Sequence, residues 1–267
     1  MANTPVVYKY PTKPIVPTIN DSTKNVQYIV LAYRLPISEQ PTTEDLAYIG
    51  DMDLPFFLKS QQSVGFFNFN LGDHLRVVFL EATGRDPTIY WKTELTVALD
   101  VTPLSVPADK LKALRGRMAK IRYYVTAKAE NGVKSVIRTS AAADFEVRGL
   151  DLPAPKILEA QENTLELDKL ENKNEASGVT VTLEYSGMAL DETVKIIRRG
   201  IKANATAVDY DDADFKVDSA DRQAQSVTAK LPVTNYSPLI GGSLVVNYWV
   251  YRDNLWYPSE KSTFQVK

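Results

Sequence analysis

Two stretches of this chain, 125 residues apart, lie on one another without a gap: VPADKLKALRGRMAKIRYYV from Val106 to Val125, and LPVTNYSPLIGGSLVVNYWV from Leu231 to Val250. Pro107 meets Pro232, Leu114 meets Leu239, Gly116 meets Gly241, Tyr123 meets Tyr248 and Val125 meets Val250. Apolar type also agrees at Val106/Leu231, Ile121/Val246 and Tyr124/Trp249. Two more correspondences keep the same order: Leu75-Arg76-Val77-Val78 with Val194-Lys195-Ile196-Ile197, and Phe145-Glu146-Val147 with Phe264-Gln265-Val266. Self-similarity of this kind marks one module used twice. Each copy must therefore close its own core.

The period of the apolar residues says what the module is made of. Val179, Val181, Leu183 and Tyr185 alternate with Thr180, Thr182 and Glu184, the spacing of a strand with one buried face. Val26 to Arg34, Gly65 to Phe69, Leu75 to Leu80, Glu94 to Leu99, Ile121 to Ala127 and Ser243 to Tyr251 are further strand candidates, rich in Val, Ile, Tyr and Phe. Turn residues separate them at Leu71-Gly72-Asp73, Gly84-Arg85-Asp86-Pro87, Glu130-Asn131-Gly132 and Ser186-Gly187-Met188. Only Ala108 to Leu114 reads as a helical turn. The expected fold is all-β, two tandem β-sandwiches of about 115 to 125 residues each, near the size of an immunoglobulin-like domain.

The joint is Arg148 to Pro155, RGLDLPAP, whose prolines disfavour helix and central strand. The expected organisation is an extended Pro-rich arm at 1–24, a first sandwich at 25–150 and a second at 151–267. Pro5, Pro11, Pro14 and Pro17 give the arm its polyproline character. No positively charged start followed by an apolar run is present, so no secretory signal peptide is expected. The expected location is the cytoplasm, or outside the cell by lysis or a non-Sec route. No apolar stretch approaches the roughly 20 residues of a membrane-spanning helix.

Composition removes most catalytic recipes. There is no cysteine, hence no disulfide, thiolate metal site or cysteine nucleophile. The single histidine, His74, excludes a multi-histidine metal centre. No GxSxG elbow marks a serine for His74 to activate, and it reads as a solvated turn residue. Lys and Arg number 31 against 33 Asp and Glu, so no overall positive field would hold nucleic acid.

The second half, with LPAPKILEA at its start, VTVTLEYSGMALDETVKI in its middle and YPSEKSTFQV at its close, resembles the Ig-like modules strung in tandem in large bacterial surface and secreted proteins. The first half resembles them mainly from Gly72 onward. The resemblance implies β-sandwiches that serve as stalks, spacers or binding tips, with no shared catalytic residues.

Three residue groups are candidate sites. Trp249, Tyr251, Trp256 and Tyr257 fall on or beside the last hairpin. Alternation puts Trp249 and Tyr251 on one face and Tyr248 and Val250 on the other, one pair core and the other exposed, with Trp256-Tyr257-Pro258 in the adjoining loop. Exposed aromatics there would stack on a sugar or anchor a protein, and otherwise form a satellite core. Asp209, Asp211, Asp212 and Asp214 read as a solvated acidic loop joining two strands, with Ca²⁺ coordination as the alternative; Glu166, Asp168 and Glu171 are a weaker cluster. Finally, residues 1–150 hold 18 Lys/Arg against 15 Asp/Glu and residues 151–267 hold 13 against 18. The basic excess gathers at Lys110, Lys112, Arg115, Arg117, Lys120 and Arg122, which favours head-to-tail self-association through the acidic stretch of another copy.

The expected function is non-catalytic binding in adhesion, assembly or recognition, with a protein or glycan surface as partner. A leaderless toxin and a carbohydrate-active enzyme built on an Asp/Glu pair are the alternatives.

Overall fold

A computed structural model describes residues 14–34, 45–59, 72–83, 87–96, 101–126, 137–169, 178–232 and 236–267. The chain divides into two compact units, Met1–Leu31 with Pro36–Gly149, and Ala32–Leu35 with Leu150–Lys267.

The first unit contains β1 (Ile19–Asp21), β2 (Val26–Val30), β3 (Leu54–Lys59), β4 (His74–Glu81), β5 (Ile89–Thr96), β6 (Val101–Val106), helix α1 (Ala108–Lys112), β7 (Arg117–Thr126), β8 (Ile137–Thr139) and β9 (Ala143–Arg148). Its larger sheet runs β1-β2-β9-β7-β4-β5, with β8 also on β7, and β3 pairs with β6 in the smaller one. Period-two patterning builds the core between them. Ala119, Ile121, Tyr123 and Val125 of β7 are buried, while Lys120, Arg122 and Tyr124 between them are half-buried on the other face. Leu54, Phe56 and Leu58 of β3 meet Leu75, Val77 and Phe79 of β4 in the same core. Each such side chain contributes roughly 1.5–3 kcal/mol on full burial.

The second unit contains β10 (Lys156–Ile157), β11 (Thr164–Leu165), β12 (Gly178–Glu184), β13 (Thr193–Ile201), β14 (Ala207–Lys216), helix α2 (Ser219–Ala224), β15 (Ser226–Pro232), β16 (Ser243–Arg252), β17 (Leu255–Pro258) and β18 (Ser262–Val266). Its sheets run β11-β18-β16-β13-β14, with β17 on β16, and β10-β12-β15. The two units share register as well as order. Leu75 faces Val125 and Val194 faces Val250. Leu54 faces Val106 and Val179 faces Leu231. A parallel strand joins the last strand in both, Ile29 beside Val147 and Leu165 beside Val266. Gly116, at φ 70°, donates to the Val147 carbonyl at 2.8 Å, and Gly241, at φ 78°, donates to that of Val266 at 2.9 Å. That left-handed turn is where glycine is needed.

A second shared device is a clamp between tyrosine and serine. The Ser140 Oγ accepts from the Tyr123 N–H at 3.0 Å, and the Ser259 Oγ accepts from the Tyr248 N–H at 2.9 Å. The Ser140 and Ser259 N–H groups donate back to the Tyr123 and Tyr248 carbonyls at 2.9 and 2.8 Å. Each clamp satisfies strand backbone that the neighbouring ladder leaves open at that point.

Several local expectations are corrected. Residues 14–24 of the extended arm are tied into the first unit: Ile15 exchanges backbone hydrogen bonds with Phe57 at 2.9 Å each way, and β1 pairs with β2. The acidic stretch is strand β14 rather than a loop, and Trp256-Tyr257-Pro258 belongs to strand β17. A second helix, α2, was not expected. It buries no residue and so leaves no 3.6-residue apolar period; it starts from a capping box in which the Asp218 side chain accepts from the Ala220 and Asp221 N–H groups, both at 2.8 Å, and Asp221 accepts from the Asp218 N–H at 3.2 Å. β5 begins at Ile89, five residues before the expected start. The expected strand at 65–69 and the turns at 84–86 and 130–132 lie outside the described residues, as do residues 1–13 of the arm.

Candidate functional site

The last hairpin of the second unit is set by its turn. Arg252 faces Leu255 across a two-residue loop, Asp253-Asn254, with both residues at positive φ, 51° and 62°. This is the geometry whose twist matches that of the flanking strands, and Asp and Asn tolerate it. The register then follows. Tyr251 stands opposite Trp256, and Val250 opposite Tyr257. Tyr248 and Val250 are fully buried in the core, which puts Trp249 and Tyr251 on the outer face.

Four rings line up on that face. Tyr251 and Trp256 have centroids 4.9 Å apart, Trp256 and Trp249 6.4 Å, and Trp249 and Tyr33 5.0 Å. Tyr33 comes from the short stretch Ala32–Leu35 that belongs to this unit. It exchanges backbone hydrogen bonds with Trp256, at 2.8 and 3.0 Å, along the edge of β17. Tyr251 is 37% exposed and the Tyr33, Trp249 and Trp256 side chains are half-buried. Aromatic pairs at these spacings contribute about 0.5–1.5 kcal/mol each beyond burial, so the strip is a fixed platform. Tyr257 is not part of it: its ring turns inward and packs against the core. The sequence carried no signal for Tyr33, because its place depends on a backbone bridge to a strand more than two hundred residues later.

One end of the hairpin is anchored by a charged network. Glu192 accepts from the Tyr185 hydroxyl at 3.0 Å, from the Ala189 N–H at 2.9 Å and from the Arg252 guanidinium. Arg252 also donates to the Gly187 carbonyl at 2.7 Å. Burial, reinforced by the Glu192 charge, pushes the Tyr185 phenol well above its ordinary value, and burial does the same to Tyr248. The first unit places Asp73 beside Arg138, 3.7 Å apart and nearly buried, in the position equivalent to Glu192.

The other candidates are dispersed over several elements. Lys110 and Lys112 lie on α1, Arg115 in the turn after it and Arg117 at the start of β7. Lys110 pairs with Asp109 at 2.7 Å, and its hydrogen bond holds the Asp109 carboxyl below the usual range. Arg117 lies 3.6 Å from Glu81. On β14, Asp209 is paired with Arg199 at 3.7 Å and Asp214 with Lys195 at 3.9 Å. A bulge opposite Ile196 shifts the phase of this strand, so that Tyr210 and Phe215 both pack against the core while Asp209 and Asp214 face outward. Asp211 faces Ile197 in the ladder, and the side chains of Asp211 and Asp212 lie outside what is described. Among the described residues no group of three or more His, Asp or Glu is placed to hold a metal ion. Asp168 lies in a 3₁₀ turn, Leu167–Lys169, next to Glu166, and Glu171 lies outside the described residues. His74 opens β4, half exposed, 3.7 Å from Glu94. No helix among the described residues is long and apolar enough to cross a membrane.

No protein-family model matches the chain, and no curated protein matches it. Among solved structures, a bacterial ice-binding adhesin of 1.5 MDa, studied for its retention at the host cell surface, aligns at 13% identity over 81% of this chain and 58% of its own, with a TM-score of 0.26. A tetra-tandem repeat from the extending region of a large adhesion protein aligns at 12% identity over 96% of this chain and 49% of its own, with a TM-score of 0.28. Red sea bream transglutaminase aligns at 11% identity over 80% and 29%, with a TM-score of 0.25. The chain thus spans less than two thirds of each of these proteins.

Proposed function

We propose that the protein is a non-catalytic, two-module recognition protein that holds a glycan surface through the aromatic strip of its second unit. The observation that supports this is the strip itself: Tyr33, Trp249, Trp256 and Tyr251 ranged across adjoining strands on the face turned away from the core. The core is complete without these rings, since Tyr248, Val250, Phe264 and their neighbours already fill it. Large flat side chains held rigidly at a partly solvated face offer contact area at little entropic cost, which is why Trp and Tyr dominate binding hot spots. A sugar ring presents flat C–H faces to such a platform, and its hydroxyls stay in water.

The test is titration of the full chain with neutral oligosaccharides, read by the tryptophan emission of Trp249 and Trp256. Saturable change is expected, and Trp256→Ala should weaken it about tenfold or more, the cost of truncating a hot-spot aromatic. Unchanged emission across the panel, or equal affinity in Trp256→Ala, overturns the reading.

A further inference from the structure

The first unit carries a concavity of about 570 Å³ on the outer face of its larger sheet, within the ~300–1,000 Å³ of pockets that take small ligands. Strands β4 and β7 carry most of its lining, which also takes in Ala82, Pro87 and, from β5, Ile89. In the β4–β7 ladder Arg76 faces Tyr124, Val78 faces Arg122 and Leu80 faces Lys120. Val78 and Leu80 form an apolar floor, only 1% and 6% exposed although they point away from the core. Arg76, Lys120 and Arg122 stand around it with the Tyr124 ring, over which the Arg76 guanidinium sits at 5.9 Å.

Among the described residues, two of the three cations are paired and one is not. Arg76 lies 4.0 Å from Glu94 and Lys120 lies 3.3 Å from Asp144. The Arg122 Nε is buried with no hydrogen-bond partner among the described residues. An unpaired buried donor on a cation is costly, and an anion beside the Arg122 guanidinium would offset its charge. Nor does the module need the two β7 cations to fold, although the second unit keeps Lys195 at the place of Arg76 and has Arg199 at that of Leu80. At the places of Lys120, Arg122 and Tyr124 the second unit has Val245, Asn247 and Trp249 on the same ladder.

We propose that this concavity binds an acidic saccharide, a sugar ring bearing a carboxylate or sulfate. The anion is taken by Arg122 with Lys120, and the ring face lies on Tyr124. A peptide is a poorer fit. β4 is already paired on both sides, with β5 and β7, and β7 with β4 and β9, so the two strands that carry the cations and Tyr124 offer no edge for main-chain pairing. The inference is independent of the aromatic strip, which lies on the other unit.

The experiment is calorimetric titration of the full chain at low salt with three probes: oligogalacturonate, a heparin-derived sulfated oligosaccharide, and poly-glutamate. Saturable binding of at least one of the two saccharides is expected, with poly-glutamate at least tenfold weaker; which saccharide binds tells carboxylate from sulfate. Arg122→Asn, the residue the second unit uses at this place, should weaken binding about tenfold or more. Lys120→Gln should weaken it severalfold, and this variant serves as well should Arg122→Asn not fold. Neutral oligosaccharides should bind Arg122→Asn as they bind the parent chain, so that a failure of the aromatic strip is seen separately. Absence of saturable saccharide binding, equal binding of poly-glutamate, or full affinity in a folded Arg122→Asn or Lys120→Gln chain overturns the proposal.

Discussion

The strand that carries Tyr123 in the first unit and the one that carries Tyr248 in the second show the same inner face and different outer ones. Inward, Ile121, Tyr123 and Val125 correspond to Val246, Tyr248 and Val250, all buried to within 1%. Outward, Lys120, Arg122 and Tyr124 correspond to Val245, Asn247 and Trp249. Interior packing near crystalline density punishes any change of volume, so the inner face and the glycine turn below it stay alike. The outer face answers only to solvent and ligand, and there the copies have become a cationic concavity and an aromatic strip.

The comparison breaks first at the core if it is wrong. Phe145→Ala and Phe264→Ala remove the same buried ring from the two copies, and each should cost about 3–5 kcal/mol. Urea unfolding of the full chain measures both; a loss confined to one copy means that the cores are not equivalent. Next comes a position where the copies differ. A Cβ on Gly200 would stand 2.5 Å from a methyl of Leu239, whereas the first unit has Glu81 there. Gly200→Ala is expected to cost about 1–3 kcal/mol by overpacking, against about 0–1 for Glu81→Ala, which loses a surface ion pair with Arg117.

The smallest effect is a slope at alkaline pH. The Tyr185 phenol is raised in the folded chain above its unfolded value near 10. The unfolded chain therefore releases a proton that the folded one keeps, and the stability this contributes is whole below pH 10 and declines as pH rises beyond it. Urea midpoints between pH 8 and pH 11 should fall, and fall less steeply in Tyr185→Phe. An equal slope in that variant would mean that burial and the Glu192 charge do not hold the phenol neutral.

How far this was legible can be judged residue by residue. The repeat located Pro107, Gly116 and Tyr123 against their partners because turn and core positions tolerate few residue types. It did not announce the Ser140 and Ser259 clamps, although the spacing that pairs Phe145 with Phe264 also pairs those serines. Carboxylates crowd strand β14 and give its sequence the look of a loop. Nothing in a one-dimensional pattern says that it ends a sheet with Asp209 and Asp214 turned to water and matched by Arg199 and Lys195. Helix α2 escaped because it buries nothing.

Alternation along single strands was enough to determine an all-β chain, its repeated module and the split of Trp249 and Tyr251 from Tyr248 and Val250, since a strand's side chains can only point to one face or the other. The tertiary structure alone decided which strands lie side by side. Hydrogen bonding between segments far apart in sequence brought Tyr33 to Trp249 and Arg76 to Tyr124, and both surfaces exist only through that pairing.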